Sequence, residues 1–357
     1  MKILNRYLAV SLLKGYLPVL AIFLAVFSLI VFVEELELGE VSKGRYGFLN
    51  AGEFLLLTMP SRVIFLAPFV ALLGSIMALG GLANGRELTA MQAGGISPYQ
   101  IAWSVMKVGA WFILVVGFLE EVVTPPLDQE AYFKRSMALS DSGAYKGKQG
   151  FWFREGRRFV RIQEIRYGEV PQGIDIFEFS DGGKMTSYMH AQEADIVNPQ
   201  KWTLKNIKKQ SIQGFSVSQE LLASMEWDSP LKQKEVRLLT LPASSLAPSE
   251  LYQYIDVLKR KKQNPFRYEL SFWGKLFMPL NTGLMILVAI PFVFGPLRTA
   301  AAGKRVFIGS LAGLGYYLMT EIFKYVGVLF GAGPLLTTAG PFLILSVVTV
   351  VFWRRYV

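Results

Sequence analysis

The sequence predicts an α-helical integral membrane protein with six transmembrane helices and an extracytoplasmic all-β domain inserted between the third and fourth helices. Six apolar stretches are long enough to cross a hydrocarbon core of about 30 Å, which takes roughly 20 helical residues. A long polar section with strand-like alternation separates the first three stretches from the last three. Basic residues gather in the short loops of one side, which predicts an orientation.

The six predicted spans form two groups of three, within residues 1–125 and 269–357. The first span is the plainest because Lys14 is its only charged residue, and the second begins after Pro60. No soluble domain of ordinary size needs so many apolar runs of this length. The spans cover residues 11–33, 62–83, 101–123, 270–294, 306–330 and 335–353.

The basic residues predict the orientation, because cytoplasmic loops carry an excess of Lys and Arg. If both termini lie on one side, that side receives the loop cations Lys2, Arg6, Arg86, Arg298, Lys304, Arg305, Arg354 and Arg355. The opposite side receives the acidic segment from Glu34 to Glu37 and the polar middle section. Both termini are therefore expected in the cytoplasm, and the β domain is expected outside the membrane.

The polar middle section, residues 126–247, is predicted to form a small antiparallel sandwich or jelly roll. Residues 159–165 and 174–179 alternate apolar and polar side chains, as half-buried strands do. Several such strands without helical stretches are typical of this architecture. Residues 248–268 follow as a connecting segment with an amphipathic helix, since Leu251, Ile255 and Leu258 share one helical face.

The composition argues against catalysis by this chain. Cysteine is absent, which excludes disulfides, thiolate catalysis and Cys-ligated metals, and His190 is the only histidine. No nucleophile elbow, zinc-protease motif or phosphate-binding loop occurs, so we expect no catalytic residue, metal or bound nucleotide in this chain. The net charge of +10 comes from scattered residues without a groove-reading motif, so nucleic acid is not an expected partner.

A short helix of about residues 84–94 is predicted between the second and third spans. Asn84 can cap it, Glu87 completes a capping-box pattern, and glycines follow at its end. This helix would expose Arg86, Glu87, Leu88 and Met91 to the cytoplasm. It fits a groove on a motor subunit, and a solvated turn is the open alternative.

Two charges, Glu321 and Lys324, lie within the fifth span. Intramembrane charges are costly and usually face a partner or a wet cavity. One interpretation is a mutual pair on the helix surface. The other is that they line a cavity for a lipid head group together with Tyr317, and both stay open at this point.

The chain resembles, over its whole length, the permease subunits of the lipopolysaccharide-export ABC transporter, and within that family the G type. The residues 294–298 (Phe-Gly-Pro-Leu-Arg) are typical of the G type. The other matching residues are 71–74 (Ala-Leu-Leu-Gly), Leu82, Ala83, Glu87, Leu88, 91–94 (Met-Gln-Ala-Gly), Arg267, Tyr268, Trp273, Lys275, Pro279 and Leu280.

The resemblance implies a multi-pass protein of the cell inner membrane with a periplasmic β domain. It implies that the chain pairs with a homologous permease, LptF, and that the first and fifth spans of both form a cavity for lipopolysaccharide. A cytoplasmic ATPase dimer, LptB, would bind ATP and magnesium and engage the short helix at Glu87. The β domain would join a relay with LptC and LptA-type periplasmic jelly rolls.

The resemblance also implies a lipid-binding position at Arg135, where related chains place an arginine near the lipid phosphates. A second such position is Tyr132 here, and Lys134 is a neighbouring cation. Related chains place lysines at the outer end of the first span, whereas residues 31–38 are acidic in this chain. The predicted lipid-binding residues are therefore Lys134, Arg135, Tyr317, Glu321 and Lys324.

The predicted function is that of a non-catalytic permease subunit that extracts lipopolysaccharide from the inner membrane and passes it to the periplasmic bridge. One alternative is a membrane enzyme that modifies envelope lipids. The other is a membrane assembly module that recruits a partner by strand addition.

Overall fold

A computed structural model describes most of the chain and includes both membrane-embedded halves and the β domain. The described residues are 2–41, 46–139, 144–166, 170–180, 182–198, 201–213, 216–228, 236, 241–260, 263–295 and 300–356. Residues 296–298, which include Arg298 of the G-type motif, lie outside these ranges.

The described residues of the first half form six α-helices, three of which confirm the first three predicted spans. The short apolar helix α2 was not predicted, because it is too short to cross a membrane and follows an acidic segment. The helices are α1 (Lys2–Val41), α2 (Phe48–Leu57), α3 (Met59–Asn84), α4 (Glu87–Ala93), α5 (Pro98–Phe118) and α6 (Thr124–Leu139).

A π-helical segment, Leu119–Val123, joins α5 to α6 without a break. Residues 126–139 are thus helical, and their prediction as part of the β domain was wrong. Pro125 and Pro126 signalled a helix end, because proline removes a backbone donor. The wider π turn before them lets the helix continue, and the Thr124 hydroxyl donates to the Leu119 carbonyl at 2.7 Å.

The β domain is confirmed, and in the part of it that the structure describes six strands form one antiparallel sheet and pair in sequence order. The residues predicted as strands fall in β2 and β3, and their alternate apolar side chains form one buried face with Trp202. The strands are β1 (Ala144–Glu155), β2 (Arg158–Arg166), β3 (Val170–Phe179), β4 (Met185–Asn198), β5 (Lys201–Gln213) and β6 (Ser216–Asp228).

His190 belongs to a hydrogen-bonded cluster around the buried Asp175 in this sheet. The His190 Nδ1 lies 2.7 Å from Asp175 Oδ1, the Tyr188 hydroxyl donates to the same oxygen at 2.9 Å, and Gln163 donates to Oδ2 at 3.0 Å. Burial by itself raises the pKa of Asp175, but these hydrogen bonds outweigh it and hold the pKa below its ordinary value.

The second half begins with the predicted amphipathic helix, α7 (Pro248–Arg260). Leu251, Ile255 and Leu258 are buried, as their shared helical face predicted. Glu250 accepts a hydrogen bond from the Ala247 amide at 3.1 Å and so caps the start of this helix. The last three predicted spans are confirmed as α8 (Phe266–Phe294), α9 (Ala302–Phe330) and α10 (Pro334–Tyr356).

The membrane core is built around α3. Its apolar window is 72% buried, against 11% for α1 and 17% for each of α9 and α10. Gly15 and Gly74 let α1 approach α3 closely, because a Cβ at Gly15 would overlap the Gly74 carbonyl oxygen. The chain therefore leaves most of α1, α9 and α10 uncovered for lipid or for another subunit.

Candidate functional site

A cavity of about 490 Å³ opens between α3, the π segment with α6, α8 and α9. It lies toward the end of the helices at which the β domain is attached. One wall is aromatic: the ring of Tyr317 lies 6.2 Å from those of Phe65 and Phe69, centre to centre. The other walls carry hydroxyl, amide and charged groups. This mixture of apolar and polar walls suits an amphipathic ligand.

Three of the five predicted lipid-binding residues, Tyr317, Glu321 and Lys324, line this cavity together. Lys324 Nζ lies 2.7 Å from Glu321 Oε1, and both side chains are partly exposed. The two interpretations of this pair therefore coexist, since the residues pair on the helix surface and also line the cavity. Their contact with lipid stays a prediction.

Lys134 and Arg135 lie outside this cavity, beside a smaller depression between α2 and α6. Both cations are paired within the chain. Lys134 Nζ lies 2.6 Å from a Glu53 oxygen and 2.7 Å from a Glu130 oxygen. The structure thus does not bring the five predicted residues to one place.

The acidic C-terminal end of α1 has a structural partner in Arg135. Glu35 is buried, and it accepts hydrogen bonds from Arg135 Nε at 2.8 Å and from the Tyr46 hydroxyl at 2.7 Å. Burial and the hydrogen bond to Glu35 raise the pKa of Tyr46. The Arg135 guanidinium also lies over the Phe54 ring, 5.1 Å from its centre. Arg135, to which the resemblance assigned a contact with lipid phosphate, is therefore already paired with the carboxylate of Glu35.

Three charged residues of the cavity were missed by sequence reasoning: Glu120, Asp128 and Lys275. Lys275 Nζ lies 2.8 Å from Glu120 Oε1, and the two side chains are 11% and 9% exposed. Both Asp128 oxygens lie 2.6 Å from the Ser61 hydroxyl. Glu120 and Lys275 fall inside predicted spans, so the rarity of intramembrane charges was a signal that could have found them.

The short helix α4 forms at the opposite end of the molecule, but its predicted cap is wrong. Asn84 is the last residue of α3, and its side-chain oxygen accepts from Arg305 Nη2 at 2.9 Å. Arg305 is buried and also donates to the Gly80 carbonyl. The Asn84 side chain is therefore engaged by α9. The residue that precedes α4 is Arg86, which adopts a left-handed conformation with φ 57°.

The predicted exposure of α4 is right for Arg86 and wrong for Leu88. Leu88 is 5% exposed and packs into the membrane core, and Met91 is partly buried against the same core. Glu87 is partly buried, because its Oε2 accepts a hydrogen bond from the Tyr7 hydroxyl of α1. A seven-residue helix needs such an anchor, since helices this short are not stable alone.

Both ends of the chain lie beside α4. Tyr7 near the N-terminus reaches Glu87, and the ring of Trp353 lies 6.0 Å from that of Tyr99 at the start of α5. Termini and α4 therefore share one end, and the sheet is attached at the other. Among the described residues, no group of three or more His, Asp or Glu side chains is arranged to hold a metal ion.

Comparison with known proteins identifies close relatives over nearly the whole chain. A family model described as lipopolysaccharide export system permease LptF/LptG matches residues 6–355. The lipopolysaccharide export system permease protein LptG of Escherichia coli strain K12 is 31% identical over 336 residues, which cover 94% of this chain and 93% of the relative. The protein of the same name from Haemophilus influenzae is 32% identical over 329 residues, covering 92% and 91%.

Proposed function

The chain belongs to the LptF/LptG family of lipopolysaccharide export permeases, and on this premise we propose that it is a G-type permease subunit that extracts lipopolysaccharide from the inner membrane. It acts without catalysing a reaction itself. A homologous LptF subunit completes the membrane part, and an LptB dimer in the cytoplasm binds ATP and magnesium. Both termini and α4 face the cytoplasm, and the sheet faces the periplasm.

The observation that carries this proposal is the largely apolar cavity at the sheet end of the helices, together with the uncovered faces of α1 and α9. Each methylene of an acyl chain costs about 0.8 kcal/mol to expose to water. A lipid that leaves the membrane therefore needs an apolar path, which Phe65, Phe69 and Tyr317 begin. The buried face of the sheet continues that path toward LptC and LptA-type jelly rolls.

The coupling to ATP hydrolysis is proposed to run through α4. Arg86 and Glu87 face the ATPase, whereas Leu88 and Met91 hold the helix against the membrane core. Because the Tyr7 hydroxyl holds Oε2 of Glu87, Oε1 is the oxygen left to meet a basic residue of the motor. A displacement of α4 is then transmitted to α1, one of the spans that adjoin the sister permease.

The lipid phosphates are a separate matter, because the cations near the cavity already have partners. Lys134, Arg135 and Lys324 each pair with a carboxylate in this chain. We propose that Lys134, the most exposed of the three cations, binds a lipid phosphate in place of its present partners, Glu53 and Glu130. Arg135 can do so only by leaving Glu35.

The test is Glu87→Ala in the purified complex with LptF and LptB, with Asp256→Ala as a control on the exposed surface of α7. We expect Glu87→Ala to reduce the amount of bound ATPase, or to preserve ATP hydrolysis while lipopolysaccharide release falls. The control should match the wild type in both measurements. Full ATPase binding with undiminished lipid release in Glu87→Ala would exclude this role of α4.

A further inference from the structure

The buried ion pair of Glu120 and Lys275 has an unused hydrogen-bonding position. Glu120 is buried, and its Oε1 alone contacts Lys275. The other carboxylate oxygen, Oε2, is buried and has no hydrogen-bond partner in the described part of the chain. Buried polar atoms are nearly always satisfied, so an unsatisfied carboxylate oxygen calls for a specific explanation.

The location of this pair favours a ligand. Glu120 lies in the π-helical segment, and such segments occur frequently at functional sites. Both Glu120 and Lys275 line the cavity that also contains the aromatic wall. An ionisable residue at membrane depth is expensive to retain, and it usually marks the path of a substrate.

The charges of the cavity select a neutral ligand group. Glu120 and Lys275 neutralise each other, and so do Glu321 and Lys324. Asp128 is a further buried carboxyl group of the cavity, so a phosphate placed here would face the carboxyl groups of both Asp128 and Glu120. An ammonium group placed at Glu120 Oε2 would lie next to the Lys275 ammonium, so this position suits a neutral donor better. A hydroxyl group carries no charge and can donate to Oε2 of Glu120.

The surrounding side chains fit a sugar better than an isolated hydroxyl. Ser271, Asn281 and Thr320 line the same cavity and supply further neutral polar groups. The aromatic wall faces the same space, and aromatic rings give apolar contact area to a ligand that is polar elsewhere.

We propose that Glu120 and Lys275 form a subsite for a hydroxyl of the sugar head group of the carried glycolipid, with Glu120 Oε2 as the acceptor. This inference rests on the proposed function and names the part of the lipid that Glu120 and Lys275 recognise. Phosphates are bound outside this cavity, whereas the acyl chains follow the apolar path that begins at its aromatic wall. A hydrogen bond to a charged acceptor is strong enough to give a preference of about tenfold for a lipid that has the hydroxyl.

The test uses the complex with LptF and LptB in phosphatidylcholine nanodiscs, with benzoylphenylalanine at position 317 as a photo-crosslinker. The probes are monoglucosyl-diacylglycerol, diacylglycerol and phosphatidic acid with the same acyl chains. We expect the complex with wild-type Glu120 and Lys275 to crosslink the glucosyl lipid about tenfold more than diacylglycerol. The variant Glu120→Leu/Lys275→Met should reduce that preference below twofold, since it removes both charges together and keeps the buried volume filled.

A matched control is Lys259→Met/Glu269→Gln, which removes a 2.6 Å ion pair whose residues do not line the cavity and should keep the tenfold preference. If the double variant does not fold, Glu120→Gln alone should lower the preference at least threefold, because an amide replaces the charged acceptor. Equal crosslinking of glucosyl lipid and diacylglycerol, or a preference for phosphatidic acid, overturns the inference.

The failure of the proposed function would look different from the failure of this inference. Lipopolysaccharide release is measured with the unmodified complex in the same nanodiscs. Absence of ATP-dependent release there contradicts the permease role. Normal release without any preference for the glucosyl lipid contradicts only the sugar subsite.

Discussion

Replacing Glu35 should destabilise the protein far more than replacing its neighbour Glu34, although both belong to the same acidic segment. Glu35 is buried and accepts hydrogen bonds from Arg135 and Tyr46, whereas Glu34 is exposed. Glu35→Leu leaves a partly buried guanidinium and a buried hydroxyl without their acceptor.

The magnitude follows from these two contacts. A hydrogen bond to a charged group contributes about 1.5–3 kcal/mol, and breaking a buried ion pair from one side costs about 3–5 kcal/mol. The Arg135 side chain is 27% exposed, so water recovers part of this loss. We therefore expect Glu35→Leu to lower the free energy of unfolding by about 2–4 kcal/mol. For Glu34→Leu we expect a change within about 0.5 kcal/mol.

The assay is reversible unfolding in mixed detergent micelles. It compares the wild type with the single variants Glu34→Leu, Glu35→Leu and Arg135→Leu and with the double variant Glu35→Leu/Arg135→Leu. The double variant should lose less than the sum of its singles, by about 2 kcal/mol, because the residues share one interaction. Additive losses, or a Glu35→Leu cost equal to that of Glu34→Leu, would refute the structural role of Glu35. Arg135 would then be free for lipid phosphate.

Three further predictions concern other parts of the chain. Gly327→Ala should cost about 1–3 kcal/mol, because its Cβ overlaps a threonine of α10, whereas Gly315→Ala meets open space and should be neutral or stabilising in the same unfolding assay. The pKa of Asp175 is lower in the folded protein than its ordinary value of 3.8, so the ionised carboxylate stabilises the fold above pH 3.8. This stabilisation is lost as the pH falls through the folded-state pKa. Asp175→Asn should therefore weaken the dependence of the unfolding free energy on pH in the acid range. Tyr7→Phe should leave ATPase binding intact but raise the number of ATP molecules hydrolysed per lipid released, because Glu87 loses its hydrogen bond to α1. An unchanged number of ATP molecules per lipid would contradict a coupling role of this hydrogen bond.

Much of the membrane part could be predicted because its signals are local. Each span is a continuous apolar run, and α7 follows from the spacing of three residues. The β domain was predicted from alternation in two strands, which are β2 and β3 of the sheet. These features depend on residues that are close in sequence, so a single amino-acid sequence is enough to predict them.

The errors arose where a distant residue decides the local structure. Asn84 looked like a helix cap, but Arg305 in a span far along the chain binds its side chain. Leu88 looked exposed on a short helix, yet the core packs over it. The charges of Glu120 and Lys275 are visible in the sequence, whereas their pairing across 155 positions needs the fold.

The unbroken helix from Pro98 to Leu139 has a mechanical consequence. Its 42 residues extend about 60 Å at 1.5 Å per residue, about twice the thickness of a hydrocarbon core. The helix begins shortly after α4 in the sequence and ends shortly before β1, the first strand of the sheet. A tilt of about 5° at one end would swing the other by about 5 Å. This long helix can therefore act as a lever that turns a small shift at the α4 end into a sideways displacement of the β domain.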